Sequence, residues 1–328
     1  MNIGFLGCSK IGVAALTSIK NYKEATLYAC ASRELNKAEE YKNKYGFERA
    51  YGSYEELVND PNVDLIYIST ITSLHYEHTK LCLEHNKPCL VEKPFTTNAK
   101  EAEELFKLSK SKNIFVGEAM WTRYMPSRGI INNILQSGVI GDIYMLSANL
   151  SYKIDGVERL IKKDLGGGIL YDCGVYPINF AFMILGSDYK NLKSTMIFKG
   201  KGVDETTLIN IFYKNGIVAN LYTSMDGNSD RNGFVYGSRG YLKVDNINNP
   251  SLIEIYGKVD ENSGSNAMEL KNSIRIKEDV NGMEYEFYES ILAIKSKIIE
   301  PVSMPHSETI KVLKLIDKVK SSSFIVDN

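Results

Sequence analysis

The sequence predicts an α/β protein in two parts, a doubly wound parallel sheet followed by an α/β domain whose sheet is open and mainly antiparallel. Three observations predict it. Residues 1–120 alternate short, near-continuous apolar runs with helical patterns, which is how a parallel sheet covered on both faces reads. From Asp142 onward the apolar runs alternate with polar residues instead, the period of half-exposed strands. Within the first of these regimes, the run Pro88-Cys89-Leu90-Val91 ends in Glu92-Lys93-Pro94, a charged pair stopped by proline at the strand edge where open α/β sheets bind ligands.

The elements run in order along the chain. Ile3–Leu6 is a strand, Ile11–Ile19 a helix, Ala25–Ala31 a strand and Leu35–Tyr45 a charged helix. Asp64–Ser69 is a third strand, and Leu74–His85 a helix that Ser73 is expected to cap. Pro88–Val91 is a strand, Asn98–Ser111 an amphipathic helix and Ile114–Gly117 a strand. The second part reads as strands at Ile143–Tyr152, Ser194–Phe198, Thr206–Tyr213, Ile217–Ser224 and Tyr241–Val244, with Asn215-Gly216 as a hairpin turn. A helix over Asp172–Leu185 interrupts them, polar loops lie at Asp226–Asn232 and Glu261–Asn266, and helices at Met283–Ile298 and Ser307–Ser321 close the chain. The expected domains are residues 1–120, binding a dinucleotide, and 121–328, binding substrate and dimerising, with the C-terminal helix free to pack back on the first domain.

The composition is that of an ordinary globular chain, 44% hydrophobic and 24% charged over 328 residues. A net charge of -1, from 39 basic and 40 acidic residues, gives no reason to expect nucleic acid or an acidic membrane as a partner. Met1 runs directly into an apolar strand, so no signal peptide is expected, and no run reaches the ~20 apolar residues of a membrane span. Cysteines 8, 30, 82, 89 and 173 form no Cys-x-x-Cys pair and read as free thiols of a reducing compartment, which points to the cytoplasm. His75 and His78 stand three apart, but lack further ligands at suitable spacing, so no metal site is expected.

Gly7-Cys8-Ser9-Lys10-Ile11-Gly12 joins the first strand to the first helix with the spacing of G-x-G-x-x-G, Ser9 standing at the second glycine. The first glycine makes the tight turn, the second admits a pyrophosphate to the backbone, and the third packs helix on strand. Serine strains that approach without blocking it, and the helix start still offers amides to an anion. Val13-Ala14 in place of Lys-Ser/Thr excludes a P-loop. The second strand ends in Ala31-Ser32-Arg33, with Lys37 a turn later, where an NAD site carries an acid. A hydroxyl and two cations suit a 2′-phosphate, and a guanidinium stacks on adenine. The expected cofactor is NADP(H), with NAD open; the competing reading makes Arg33 and Lys37 a solvated helix start.

Taken together these residues resemble the glucose–fructose oxidoreductase/inositol dehydrogenase (Gfo/Idh/MocA) family over nearly the whole chain. The resemblance is carried by Gly7-x-Ser9-x-x-Gly12, Ser69-Thr70 with His75 five residues on, Glu92-Lys93-Pro94 and Gly166-Gly167-Gly168-Ile169-Leu170-Tyr171-Asp172-Cys173-Gly174-Val175-Tyr176. Glu118 through Pro126, Ala50 through Val58 and Gly202 through Thr206 make it most similar to the dimeric dihydrodiol dehydrogenase and NADP-dependent xylose dehydrogenase branch. The resemblance implies a Rossmann domain, a second domain whose sheet forms a dimer face, and hydride transfer between NADP(H) and a hydroxyl or carbonyl carbon of a sugar or vicinal diol. It implies that Lys93 lies at the nicotinamide and the substrate hydroxyl, and that Asp172 is the carboxylate of the second motif. It puts Trp121 and Arg123 at the active-site wall, and Gly7, Ser9, Lys10, Ile11, Gly12, Ser32, Arg33, Lys37, Thr70, His75 and Glu92 around the cofactor. That branch often has His shortly before the His75 position, where this chain has Thr72, a departure that bears on substrate contacts.

Oxidising an alcohol requires a base that titrates near the working pH. A free lysine is too basic at roughly 10.4, and burial beside a cationic ring lowers that value. Lys93 and Tyr176 are therefore expected to share the substrate oxygen and relay its proton, with Asp172 orienting Lys93 or binding a second hydroxyl. Glu92 is expected to fix local backbone and cofactor position. Other readings are an N-cap role for Asp172, a core role for Tyr176 and a packing role for Trp121. The glycines at 166–168 suit a backbone pressed against a ligand. At the level of the whole protein, the alternatives are a non-catalytic NADP-binding sensor on the same fold and a relative with other chemistry and a recycled cofactor. The absence of a Gly-x-Ser-x-Gly elbow argues against a hydrolase.

Overall fold

The computed structural model describes residues 1–200, 202–260, 266–277 and 280–327. In chain order it begins β1 (Asn2–Leu6), α1 (Lys10–Ile19), β2 (Thr26–Ala31), α2 (Leu35–Tyr45), β3 (Arg49–Tyr51), α3 (Tyr54–Asn59), β4 (Leu65–Ile68), α4 (His75–Glu84), β5 (Cys89–Glu92), α5 (Ala99–Lys112) and β6 (Val116–Ala119). It continues with α6 (Pro126–Gln136), β7 (Ile143–Asn149), α7 (Glu158–Ile161), α8 (Val175–Leu185), β8 (Tyr189–Phe198), β9 (Thr206–Tyr213), β10 (Val218–Ser224), β11 (Gly233–Gly237), β12 (Gly240–Val244), β13 (Leu252–Lys258) and β14 (Met268–Arg275). It ends with α9 (Glu284–Lys295), α10 (His306–Ser322) and β15 (Phe324–Asp327).

Packing divides the chain into two compact units, Met1–Tyr124 with Asp279–Lys314, and Met125–Glu278 with Leu315–Asn328. The first holds a six-stranded parallel sheet in the order β3-β2-β1-β4-β5-β6, the doubly wound sheet the apolar runs predict. Its strands read as unbroken apolar runs because both faces are covered; β4 and β5 are buried along their whole lengths. The core gathers Ile3, Phe5, Leu65, Tyr67, Leu90 and Phe115 with Phe287 and Ile291 of α9, a helix distant in sequence.

The second unit holds a nine-stranded mixed sheet in the order β14-β13-β12-β11-β7-β10-β9-β8-β15. Its pairs are antiparallel except β10 with β7 and β15 with β8. Alternation is clean in β9, where Thr207, Ile209, Ile211 and Tyr213 are buried and Leu208 is exposed. Gly216, at φ +87°, turns β9 into β10 as the Asn-Gly signal predicts. The apolar helix α8 packs on β7 and β10. With the turns before it, it makes one helical stretch of 23 residues, Lys163–Leu185, long and apolar enough by composition to pass for a membrane span. Interruption at Asn179 hides this stretch from a reading by apolar runs, and 78% of its most apolar window is buried inside the fold.

Several boundaries differ from expectation. Ser73 caps nothing: a 3₁₀ turn at Thr72–Leu74 precedes α4, and Leu74 occupies the N-cap position without a side-chain bond. The strand expected at Ile114–Gly117 is displaced to Val116–Ala119, because Asn113 at φ +56° ends α5 and the Ile114 amide is spent on Ser109 O. The helix expected from Asp172 is preceded by a π-helical turn at Leu170–Gly174 and becomes α-helical at Val175. Of the polar loop expected at Glu261–Asn266, residues 261–265 lie outside the described residues.

Candidate active site

In the first unit the predicted cofactor residues gather at the C-terminal edge of the sheet. Gly7 follows β1 at φ +107°, and a Cβ there would lie 3.0 Å from Thr70 Cγ2 and 3.3 Å from Ser69 C. The Gly7 amide donates to Ala31 O at 3.1 Å, and Ser69 Oγ donates to Gly7 O at 3.0 Å, so the turn is clamped between the ends of β2 and β4. Ser9, standing in the second glycine's place, is the N-cap of α1 and accepts from the Gly12 amide at 3.0 Å. A Cβ on Gly12 would meet Tyr41 Oη at 2.9 Å, which explains glycine at the third position. Lys10 and Ile11 are exposed at this helix start, where first-turn amides have no intrahelical acceptor and attract anions.

Ser32, Arg33 and Lys37 stand at the next strand end. Ser32 is buried, its amide bound to Tyr51 O at 3.2 Å, while Arg33 and Lys37 are exposed. Glu34, exposed between them, is the N-cap of α2 and makes no side-chain cap bond, and no acid follows in the first turn. A glycine turn and a capped helix start fit a nicotinamide dinucleotide.

Beyond β4, Thr70 Oγ1 lies 2.9 Å from His78 Nδ1. Burial, with His75 and Arg33 nearby, pulls His78 down to about 4. His75 is 1% exposed, its Nδ1 2.9 Å from Pro94 O and its Nε2 3.1 Å from Thr70 O. Both ring nitrogens thus face backbone carbonyls, one in the loop after β4 and one in the loop after β5, and the neutral ring can donate to one of them. Burial lowers its pKa against the two carbonyls that favour the cation, with Lys93 adding to the lowering.

At the end of β5, buried Glu92 accepts from Tyr67 Oη and, at 3.2 Å, from the Lys93 amide. Lys93 is half-buried, and its peptide bond to Pro94 is cis. Buried Glu118 steadies the backbone beyond that bond. It accepts from the Phe95 amide at 3.0 Å and Thr309 Oγ1 at 2.7 Å, and burial raises its carboxyl despite those donors. Sequence reading took Glu118 only as part of a motif; its place at a strand end, one of the few acids in a buried run, is the signal that marks it. Trp121 is half-buried against the core of this unit, and Arg123, 2% exposed, pairs with Glu308 at 3.3 Å. Both residues are therefore tied into the first unit's own packing.

In the second unit, Asp172 sits inside the π-helical turn rather than at a helix cap. Its Oδ1 is 3.2 Å from Arg159 Nη1 of α7. Tyr176, second residue of α8, is 8% exposed. Gly167 and Gly168 are pressed against the chain itself. Gly167 and Gly168 amides donate to Lys162 O at 3.1 Å and Leu160 O at 2.9 Å, and a Cβ on Gly167 would lie 2.7 Å from both of those carbonyl oxygens. A Cβ on Gly168 would lie 2.2 Å from Asp204 Oδ1. Asp204 Oδ2 accepts from the Leu170 amide at 2.9 Å and Thr207 Oγ1 at 2.7 Å, fixing the turn that carries Asp172. The described residues hold no cluster of His, Cys, Asp and Glu suited to a metal ion, and all five cysteines are free, with Cys8 half-buried and the other four buried.

Comparison with known proteins decides the family. Residues 1–119 match the NAD-binding Rossmann-fold model of the GFO_IDH_MocA oxidoreductase family, and residues 131–243 match the GFO/IDH/MocA C-terminal domain. Trans-1,2-dihydrobenzene-1,2-diol dehydrogenase of Mus musculus is 32% identical over 236 residues, covering 72% of this chain and 71% of the relative. The chain belongs to the Gfo/Idh/MocA oxidoreductase family. The Xenopus tropicalis protein of the same name is also 32% identical, over 70% of each chain. Among solved structures, a 3-ketoreductase from Actinomadura kijaniata in complex with NADP and TDP-benzene superposes with a TM-score of 0.90 at 23% identity, over 100% of this chain and 99% of that one. An aldose-aldose oxidoreductase from Caulobacter crescentus gives 0.85 at 17% identity, over 98% and 97%. The chain is thus an NAD(P)-binding oxidoreductase of the dihydrodiol dehydrogenase branch, and its two sheets are those the resemblance implies.

Proposed function

We propose that this protein is an NADP-dependent dehydrogenase or reductase acting on CH–OH groups of a sugar or vicinal diol. The observation that carries the cofactor choice is the end of β2, where buried Ser32 stands at the strand end, exposed Arg33 and Lys37 follow it, and the nearest acid, Glu34, sits at the N-cap of α2 rather than at the strand end. A 2′-phosphate is attracted there, whereas an Asp or Glu would repel it. When bound, the nicotinamide accepts or supplies the hydride. The chain's own residues handle the proton: Lys93 and Tyr176 share the substrate oxygen, taking its proton in oxidation and returning it in reduction. Asp172 holds a second hydroxyl or orients Lys93. Glu92, fixed by Tyr67 Oη and the Lys93 amide, sets the backbone from which Lys93 projects. Names of the relatives support the substrate class, since they include a diol dehydrogenase, a 3-ketoreductase and an aldose oxidoreductase.

We further propose that the protein works in the cytoplasm as a homodimer or higher homo-oligomer. The open face of the second sheet supports the assembly: Phe234, Tyr236, Tyr241 and Tyr256 form a row of ring contacts there, flanked by exposed Leu208 and Tyr222.

The test is reduction of NADP⁺, with NAD⁺ in parallel, against aldoses, inositols and trans-dihydrodiols. Turnover with NADP⁺ and at least one of these classes is expected. Equal rates with both cofactors would overturn the cofactor assignment, and undiminished turnover in Lys93→Met would overturn the proton roles.

A further inference from the structure

Glu286, in the first turn of α9, is fully buried, and among the described residues neither of its carboxyl oxygens has a hydrogen-bond partner. Its equally buried neighbour Glu284 is provided for, accepting from the amides of Val280 at 2.8 Å, Asn281 at 3.1 Å and Gly282 at 2.8 Å. No cation among the described residues pairs with Glu286. Phe287 packs its ring 5.3 Å from Tyr67, and Tyr67 donates to Glu92. The ionisable groups that face Glu286 are Glu92 of β5, Glu284 of α9, Tyr67 of β4 and Tyr124 after β6; Arg123 beside Tyr124 is paired with Glu308.

Two buried carboxyls that feel each other's charge do not both ionise, and the charge settles where donors await it. Glu92 has donors in Tyr67 Oη and the Lys93 amide, whereas Glu286 has none among the described residues. We infer that Glu286 is a neutral acid and a positioning residue, whose retained proton leaves Glu92 the charged member of this pair behind Lys93. This rests on the reading of Glu92-Lys93 as the proton-handling end of the site. Burial and the charges of Glu92 and Glu284 raise the Glu286 carboxyl well above the ordinary range. The fixed neutral dipole it presents to Glu92 favours the anion, as an ionised neighbour would not.

Three measurements test this. First, infrared spectra of wild type minus Glu286→Gln at neutral pH should contain a protonated carboxylic C=O band; carboxylate bands alone would overturn the inference. Second, a carboxyl with a raised folded-state pKa opposes folding increasingly as pH climbs above the free glutamate value of about 4.3. The Tm of Glu286→Gln should therefore gain on wild type by several degrees between about pH 4 and about pH 8, and Glu286→Met, which needs no partner, should show the same trend. A pH-independent difference in both variants would overturn it. Third, kcat should fall at least about fivefold further in Glu286→Met than in Glu286→Gln, since the amide keeps a neutral dipole beside Glu92; equal kcat would overturn the positioning role. Absence of any cofactor-dependent turnover in wild type would count against the proposed function and leave the infrared and Tm results standing.

Discussion

Arg159 Nη1 lies 3.2 Å from Asp172 Oδ1, and the segments carrying the two residues are bolted together through backbone. Gly167 and Gly168 supply the bolts by donating to the carbonyls of Lys162 and Leu160. Asp172 thus meets a cation on one side while its turn is fixed by Asp204 on another. Half of the Arg159 side chain is exposed, so the pair contributes at most about 1 kcal/mol to stability.

Its consequence falls on activity. If Asp172 binds a substrate hydroxyl or orients Lys93, removing Arg159 takes away one of the groups that hold the carboxylate in place. Arg159→Ala should lower kcat about tenfold, with Arg159→Lys recovering part of the loss, while cofactor KM and Tm stay near wild type. Steady-state kinetics on the substrate found in the screen checks this; an unchanged kcat in Arg159→Ala would separate Asp172 from the chemistry.

Cofactor choice gives a second expectation. Arg33 and Lys37 are exposed beside buried Ser32, so they are available to a phosphate without rearrangement of the core. Arg33→Ala should raise KM for NADP about tenfold or more and leave KM for NAD within about twofold, because a charge-assisted phosphate contact is worth roughly 1.5–3 kcal/mol. A parallel rise for both cofactors would mean that Arg33 supports the loop and does not read the phosphate.

Much of this architecture was legible because each signal is local. Near-continuous apolar runs marked the strands of the first sheet, and alternation with Asn215-Gly216 marked the hairpin of the second. Glu92-Lys93-Pro94 and the glycine loop announced a strand edge by residue type alone. What escaped depends on tertiary partners. Ser73 has N-cap chemistry, yet the chain spends one more turn as 3₁₀ helix before α4 begins. Gly167 and Gly168 are set by tertiary neighbours as well, since Leu160, Lys162 and Asp204 are brought against them by the fold. Arg33 and Arg123 are the same residue type near the same kind of strand end, and only packing separates the exposed one from the one paired with Glu308. Glu286 lies far from β5 in sequence, and no local pattern announces its burial.

The histidines predict acid sensitivity. Burial pulls His78 to about 4 from an unfolded value near 6.5. A base with a depressed folded-state pKa contributes stability above its unfolded pKa and loses it as pH falls through the folded one. His78 should therefore cost up to about 3 kcal/mol between about pH 6.5 and about pH 4, and burial of His75 and His306 adds in the same direction. Urea unfolding of wild type and His78→Gln across that window is the measurement. The variant should lose less stability on acidification, and parallel curves would show that His78 does not titrate as its burial demands.

Asp204 holds the turn that carries Asp172. It is 6% exposed, accepts from the Leu170 amide and Thr207 Oγ1, and leaves no room for a side chain on Gly168, whose φ is +117°. Asp204→Ala strands a buried amide and a buried hydroxyl, at roughly 1–3 kcal/mol each. Gly168→Ala adds a Cβ at 2.2 Å from Asp204 Oδ1 in a backbone region unfavourable to any side chain. Both substitutions act on the turn that presents Asp172, so unfolding midpoints should drop in each, and residual kcat should fall while cofactor KM, set in the first unit, holds. Pairing them distinguishes the cause: once the carboxylate is gone the clash is gone, so Gly168→Ala should cost less in an Asp204→Ala background than in wild type. Fully additive losses would mean that Gly168 is required for its backbone angle alone.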